Sequence, residues 1–154
     1  MRRFGDGGRP PLGLDPALVD LVLLQARAVA RARRWLEART ELVLLAHGSS
    51  NNPASRRAAE RIAESVAATK VFAVVRSAFL EEAPVLADAI ALTHGPALVV
   101  GLFAGEGLHG GDDAPQYVAE LERPDVCFAG NVGTLEALPE NIAAAVRRAR
   151  EPAG

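Results

Sequence analysis

The sequence predicts one α/β domain, a three-layer arrangement with a four-stranded, mainly parallel sheet and helices on both faces. Three observations predict it. The chain has 154 residues, the length of one ordinary domain with a sizeable core. Short apolar runs and helical patterns alternate four times along it. The apolar runs are continuous rather than alternating in polarity, as expected of strands buried on both faces of a parallel sheet. Right-handed crossovers then place helices on the two sides.

Each element has its own signal. Residues 1–13 are rich in Gly, Pro and Arg and read as a flexible leader. Residues 14–40 form an N-terminal helical segment, and 41–150 the α/β domain. Asp15 is a helix cap with Pro16 at the first helical position, and helical period runs from there to about residue 39. Leu21, Leu24, Ala28, Ala32 and Trp35 share its apolar face, with Arg27, Arg31 and Arg34 on another. That face needs a cover, from its own domain or from a second subunit, and a homodimer is expected because symmetric pairs are the commonest oligomers. Strands are expected over 42–46, 70–79, 96–103 and 124–128. Helices are expected over 53–68, capped by Asn52, over 82–93, with Pro84 in the first turn, and over 113–121 and 135–150.

Composition excludes several classes. Apolar runs such as those at 21–24 and 97–100 fall far short of the roughly 20 residues a membrane-spanning helix needs. Arg2 and Arg3 are followed by a Gly- and Pro-rich stretch where a secretory signal carries its apolar core. A single cysteine, Cys127, allows no internal disulfide, which favours a cytoplasmic setting; between Val126 and Phe128 it reads as a buried, inert thiol. Residues 1–40 hold eight arginines against four acidic residues, and the rest nine basic against fifteen acidic. The arginines are regularly spaced along one helix without aromatic interleaving, so nucleic acid is not the expected partner.

In open parallel sheets, ligands bind at the carboxyl ends of the strands. The first strand delivers His47, Gly48, Ser49 and Ser50 to that edge. The second delivers Arg76 and Ser77, then Glu81 and Glu82. The third delivers Gly105, Glu106, Gly107, His109, Asp112 and Asp113, and the fourth Asn131 and Thr134. Two of the three histidines, 62 positions apart, thus reach one cleft. Either alone is equally readable as a satisfied polar residue in a turn. Together, each flanked by glycine, they read as a catalytic or metal-binding pair. Imidazole exchanges protons near neutral pH and binds divalent transition metals through a neutral nitrogen. Glu106, Asp112 and Asp113 can attract or ligate a cation, or form a solvated loop. His94, before Gly95 and Pro96, reads as a helix C-terminal residue. The nucleotide-binding glycine fingerprint, the phosphate-loop lysine motif and the serine nucleophile elbow are all absent.

The local strings Leu44-Leu45-Ala46-His47-Gly48-Ser49, Ala78-Phe79-Leu80-Glu81-Glu82-Ala83-Pro84, Val99-Val100-Gly101-Leu102-Phe103, Gly107-Leu108-His109 and Asp112-Asp113-Ala114-Pro115 resemble, in order and spacing, the class II chelatases. Those are the sirohydrochlorin cobaltochelatases and ferrochelatases, and the resemblance runs from about residue 41 to 149. It implies a chelatase-like fold and ATP-independent insertion of Co²⁺ or Fe²⁺, with Ni²⁺ a third candidate, into sirohydrochlorin or a related tetrapyrrole. The metal is then a substrate, no organic cofactor is involved, and the setting is siroheme or cobalamin biosynthesis. It further implies that His47 and His109 bind the metal and take up pyrrole protons. Glu106 is a further metal ligand, and Ser49, Ser50, Arg76, Gly105 and Gly107 contact the tetrapyrrole. Small members of that family pair into dimers, and long ones fuse two such domains. Two positions depart from its pattern: Ser50 stands where arginine is frequent, and Gly101 where proline is. Arg56, Arg57 or Arg76 then becomes the candidate partner for the substrate's carboxylates. A non-catalytic metal- or tetrapyrrole-binding protein of the same fold is the alternative.

Overall fold

The computed structural model describes residues 16–48, 53–102, 109–132, 144 and 147–149. The expected leader at 1–13 lies outside these residues, as does most of the closing helix expected over 135–150. The described chain runs α1 (Pro16–Ala32), a short 3₁₀ turn (Glu37–Arg39), β1 (Glu41–Ala46), α2 (Pro53–Ala68), β2 (Val74–Phe79), α3 (Leu86–Ala91), β3 (Ala97–Gly101), α4 (His109–Glu120) and β4 (Val126–Asn131).

The four strands form one sheet in the order β2-β1-β3-β4, and every neighbouring pair is parallel. All residues of β1, β3 and β4 are buried, which is why their apolar runs are unbroken. From β1 the chain moves outward to β2, then crosses back to β3 and on to β4. Right-handed crossovers therefore put α2 on one face of the sheet and α3 and α4 on the other. α1 joins α2, packing also on β3 and β4. The direction of travel reverses between β1 and β3. This switch point opens a crevice at the carboxyl ends of these two central strands.

The stripe that α1 buries differs from the expected one. Val22, Gln25, Ala26, Val29 and Ala30 face the sheet and share its core. Of the expected face only Ala28 is fully buried, while Leu21 and Ala32 are exposed. An all-apolar count misses this because the stripe contains a glutamine. The Gln25 side-chain amide donates to the Ala129 carbonyl at 2.8 Å and the Asn131 carbonyl at 3.2 Å. Those carbonyls flank Gly130, which has a φ of +95°. There β4 bulges: Val99 pairs with Phe128 but Gly101 with Asn131.

Other boundaries also move. α1 stops at Ala32 because Arg34 adopts a left-handed φ of 60° and the Trp35 N–H closes on the Ala30 carbonyl at 2.8 Å. Glu37 then reaches back to Arg27 at 2.9 Å. β2 starts only after a turn at Lys70, also with φ 60°. Residues 80–85 form a loop rather than the start of α3, with the Phe79 N–H donating to the Pro84 carbonyl at 2.9 Å. α4 starts four residues earlier than expected, at His109.

Candidate functional site

His47 directly follows β1, so its position is fixed by the most buried part of the molecule. Its carbonyl accepts N–H bonds from Leu80 at 3.2 Å and Glu81 at 3.1 Å, and Leu80 also reaches the Ala46 carbonyl. These bonds draw the chain leaving β2 across the end of β1. They bring the Glu81 carboxylate beside the imidazole, with Oε2 3.0 Å from Nε2. Both side chains remain about half exposed, 48% and 56%, so a ligand can reach them. With the imidazole protonated, the two groups form an ion pair. A divalent cation that took the place of that proton would meet one nitrogen and one oxygen donor.

Gly48 makes the turn after His47 possible. Its φ is +72°, and a Cβ there would lie 2.9 Å from the Phe79 Cβ and 3.1 Å from the Glu82 side chain. Glu82 thus closes over the turn from one side. From the other, Arg56 of α2 reaches Glu82 Oε1 at 3.0 Å and the Ala83 carbonyl at 2.6 Å. The same guanidinium bonds Glu60 at 3.0 Å and lies over the Phe79 ring. Its hydrogen bond to Glu82, partly opposed by desolvation, raises its pKa further above the ordinary arginine value.

The expected residues fall into three groups. His47 lies at the carboxyl edge as expected. His109 opens α4, which returns from β3 toward β4 and therefore begins at that same edge, beside the switch point. Its side chain lies outside the described residues, as do those of Asp112 and Asp113. Ser49, Ser50, Gly105, Glu106, Gly107 and Thr134 also lie outside them. Arg76 is placed elsewhere: its guanidinium runs to the opposite, amino edge, where it meets Glu41 Oε1 at 3.0 Å and the Leu92 carbonyl at 3.4 Å. The physical reason is Glu41, a carboxylate only 8% exposed that needs a cation beside it. His94 stands at that amino edge too, its backbone N–H donating to Glu41 at 2.9 Å. Of the other candidate arginines, Arg56 is engaged as described and Arg57 is exposed on α2. Cys127 is buried, as expected.

Glu81 is the residue sequence reasoning passed over. The sequence puts it at the edge with Glu82 and assigns it no role. Two adjacent glutamates just past a strand were the available signal, and only the backbone bonds to His47 show which of them turns to the imidazole. Among the described residues, no three His, Cys, Asp or Glu side chains converge on one point. No helix among them is long and apolar enough to cross a membrane.

No curated protein matches the sequence. Solved structures do. The chain is similar to CbiX, described as the terminal enzyme for biosynthesis of siroheme in denitrifying bacteria. The two share 33% identity with a TM-score of 0.69, over 92% of this chain and 62% of that one. It has the fold of SirB from Bacillus subtilis with Fe³⁺ bound, at 18% identity and a TM-score of 0.66, over 91% of this chain and 56% of that one. It also has the fold of SirB from Bacillus subtilis subspecies spizizenii, a sirohydrochlorin chelatase in complex with cobalt. There the identity is 18% and the TM-score 0.59, over 91% and 49% of the two chains. This chain therefore spans only about half to three-fifths of the length of these relatives. The CbiX family profile matches residues 41–149, most of the chain and all of its sheet. By that match, and by the four-stranded parallel sheet that carries it, the chain belongs to the CbiX family.

Proposed function

We propose that the protein inserts a divalent metal ion, Co²⁺ or Fe²⁺, into sirohydrochlorin or a related tetrapyrrole without ATP. The observation that carries this reading is the His47–Glu81 pair, 3.0 Å apart and half exposed at the end of the central strand. Family membership supports it, as does 33% identity to an enzyme of siroheme biosynthesis.

The chemistry follows from what insertion demands. Two pyrrole N–H protons leave as the metal enters, and the metal must be presented without being held too tightly. An imidazole and a carboxylate on an open edge hold a cation by two bonds and leave its other positions to the macrocycle nitrogens. Once the metal moves on, the pair is free to take up a released proton. His109 is the second imidazole of this reading, entering from the start of α4, with Glu106 as a further ligand. Gly105 and Gly107 let the ring approach the backbone, and Ser49 and Ser50 contact its periphery. The protein works as a cytoplasmic homodimer, and its buried thiol is compatible with that compartment.

Visible absorbance tests this. Sirohydrochlorin with Co²⁺ or Fe²⁺ should be metallated many times per protein. His47→Ala, His109→Ala and Glu81→Gln should each slow turnover by at least the roughly 10² that general acid–base help is commonly worth. His94→Ala, on the opposite edge, should keep most of the activity. A change that saturates at one equivalent of protein would instead mark a binding protein. Near-wild-type turnover in the His47 and His109 variants would sink the mechanism.

A further inference from the structure

We infer that Arg56 is a positioning residue for metal uptake: it clamps the 80–85 loop onto the His47 turn and so sets Glu81 against His47. This role rests on the chelatase reading above. Glu81 itself sits on a loop, and among the described residues its backbone is tied to the sheet by one bond, from its N–H to the His47 carbonyl at 3.1 Å. The next two residues are the ones Arg56 holds. It takes the Glu82 carboxylate at 3.0 Å and the Ala83 carbonyl at 2.6 Å through a single nitrogen, Nη1. Its Nε is held in turn by Glu60, one helical turn along α2, at 3.0 Å. Its planar face rests on Phe79, the last residue of β2, 5.0 Å from the ring centroid.

The clamp thus joins three parts: α2, the end of β2, and the loop that carries Glu81. It also presses the Glu82 side chain against Gly48, so the turn carrying His47 and the loop carrying Glu81 are fixed from one point. The charged neighbour of His47 is Glu81, 3.0 Å away. Arg56 acts on the metal through the geometry of that pair. Groups that orient metal ligands from behind commonly change metal affinity by 10- to 100-fold when removed. A donor pair held by a well-packed support binds more tightly than one left to find its geometry.

The test uses the full chain and Co²⁺ alone, without tetrapyrrole, read by calorimetric titration and by the visible spectrum of the bound ion. The variants are Arg56→Met, which keeps the stem over Phe79, Glu82→Met, which removes the acceptor and keeps the bulk beside Gly48, Glu81→Gln, and the double variant Arg56→Met with Glu81→Gln. Arg56→Met and Glu82→Met should each weaken Co²⁺ binding about tenfold. The double variant should bind no worse than Glu81→Gln, because the clamp has nothing left to position. Full-strength binding in Arg56→Met, with binding lost in Glu81→Gln, would overturn the positioning role and leave the chelatase reading standing. A full additional tenfold loss in the double variant would overturn it as well. Should Arg56→Met fail to fold, Glu82→Met decides the matter alone. A wild-type chain that takes up no Co²⁺ would remove the chelatase reading, and the role of Arg56 with it.

Discussion

At the scale of single residues, the site depends on groups that have no chemistry of their own. Gly48 is the clearest case. A positive φ of 72° and a Cβ clash with Phe79 act together, and neither neighbour can withdraw, since Phe79 is fully buried and Glu82 is held by Arg56. Gly48→Ala should therefore lower stability by about 1–3 kcal/mol in urea unfolding. Because the strain is released next to His47, metal insertion should fall further than stability alone explains. A variant with wild-type stability and turnover would contradict this account of the turn. A second residue-scale prediction lies at the far edge. Arg123 holds Asp125 through two bonds, Nε to Oδ1 at 2.8 Å and Nη2 to Oδ2 at 3.0 Å, and reaches Thr93 Oγ1 at 3.1 Å. The Arg123 hydrogen bond lowers the pKa of Asp125 from its ordinary value near 3.8, against a smaller opposing effect of desolvation. A carboxylate whose folded value is depressed contributes stability above its unfolded value and loses it as pH falls through the folded one. Asp125→Asn should thus be less stable than wild type at pH 7, and the gap should close below about pH 4. An unfolding midpoint difference that persisted unchanged to pH 2 would exclude the ion pair as its source.

At the scale of elements, the least expected feature is the way α1 is fastened. Its period was legible in the sequence, but its buried face was not. Leucine and alanine occur all round this helix, so apolar spacing fits more than one stripe. What selects the stripe is polar: Gln25 supplies donors to two carbonyls at the bulge of β4, a need that appears only once the sheet exists. The end of α1 and the start of β2 are hidden in the sequence for a similar reason. Lys70 and Arg34 take left-handed turns that carry no glycine to announce them. β1 is legible to within one residue, because a strand buried on both faces leaves an uninterrupted apolar run, while β3 is shorter than the expected 96–103. The fastening of α1 is open to a direct test. Gln25→Leu fills similar space but leaves the Ala129 and Asn131 carbonyls without that donor in a buried setting. It should cost about 1–3 kcal/mol. The loss should appear in urea unfolding as a lower midpoint at unchanged slope. A neutral Gln25→Leu would mean that apolar packing alone holds α1 in place.

At the scale of the whole molecule, the structure puts His47 and the start of α4 at the carboxyl edge of the sheet and sends Arg76 to the amino edge. The edge that carries His47 and the start of α4 was legible because strand–helix alternation makes the strands parallel and sets their carboxyl ends side by side. The exclusion of Arg76 was not, because its side chain turns along the strand to a buried partner that sequence cannot point to. Nor was the choice of Glu81, which depends on backbone bonds between two strand ends. The remaining question of scale is assembly. The main apolar stripe of α1 is covered by its own domain, so that stripe no longer calls for a second subunit. A different argument does. The His47–Glu81 pair stands open at a single sheet edge, and the substrate proposed for it is a tetrapyrrole. A tetrapyrrole is flat and has two faces, and one such edge can cover only one of them. A second copy, related by a two-fold axis, is the simplest source of a cover for the other face, and a symmetric pair needs no additional gene product. Light scattering of the full chain at micromolar concentration should therefore give twice 16.2 kDa. The dimer should also survive His47→Ala, since the pair serves the metal rather than the contact. A mass near 16.2 kDa in the presence and absence of sirohydrochlorin would show that one domain works alone.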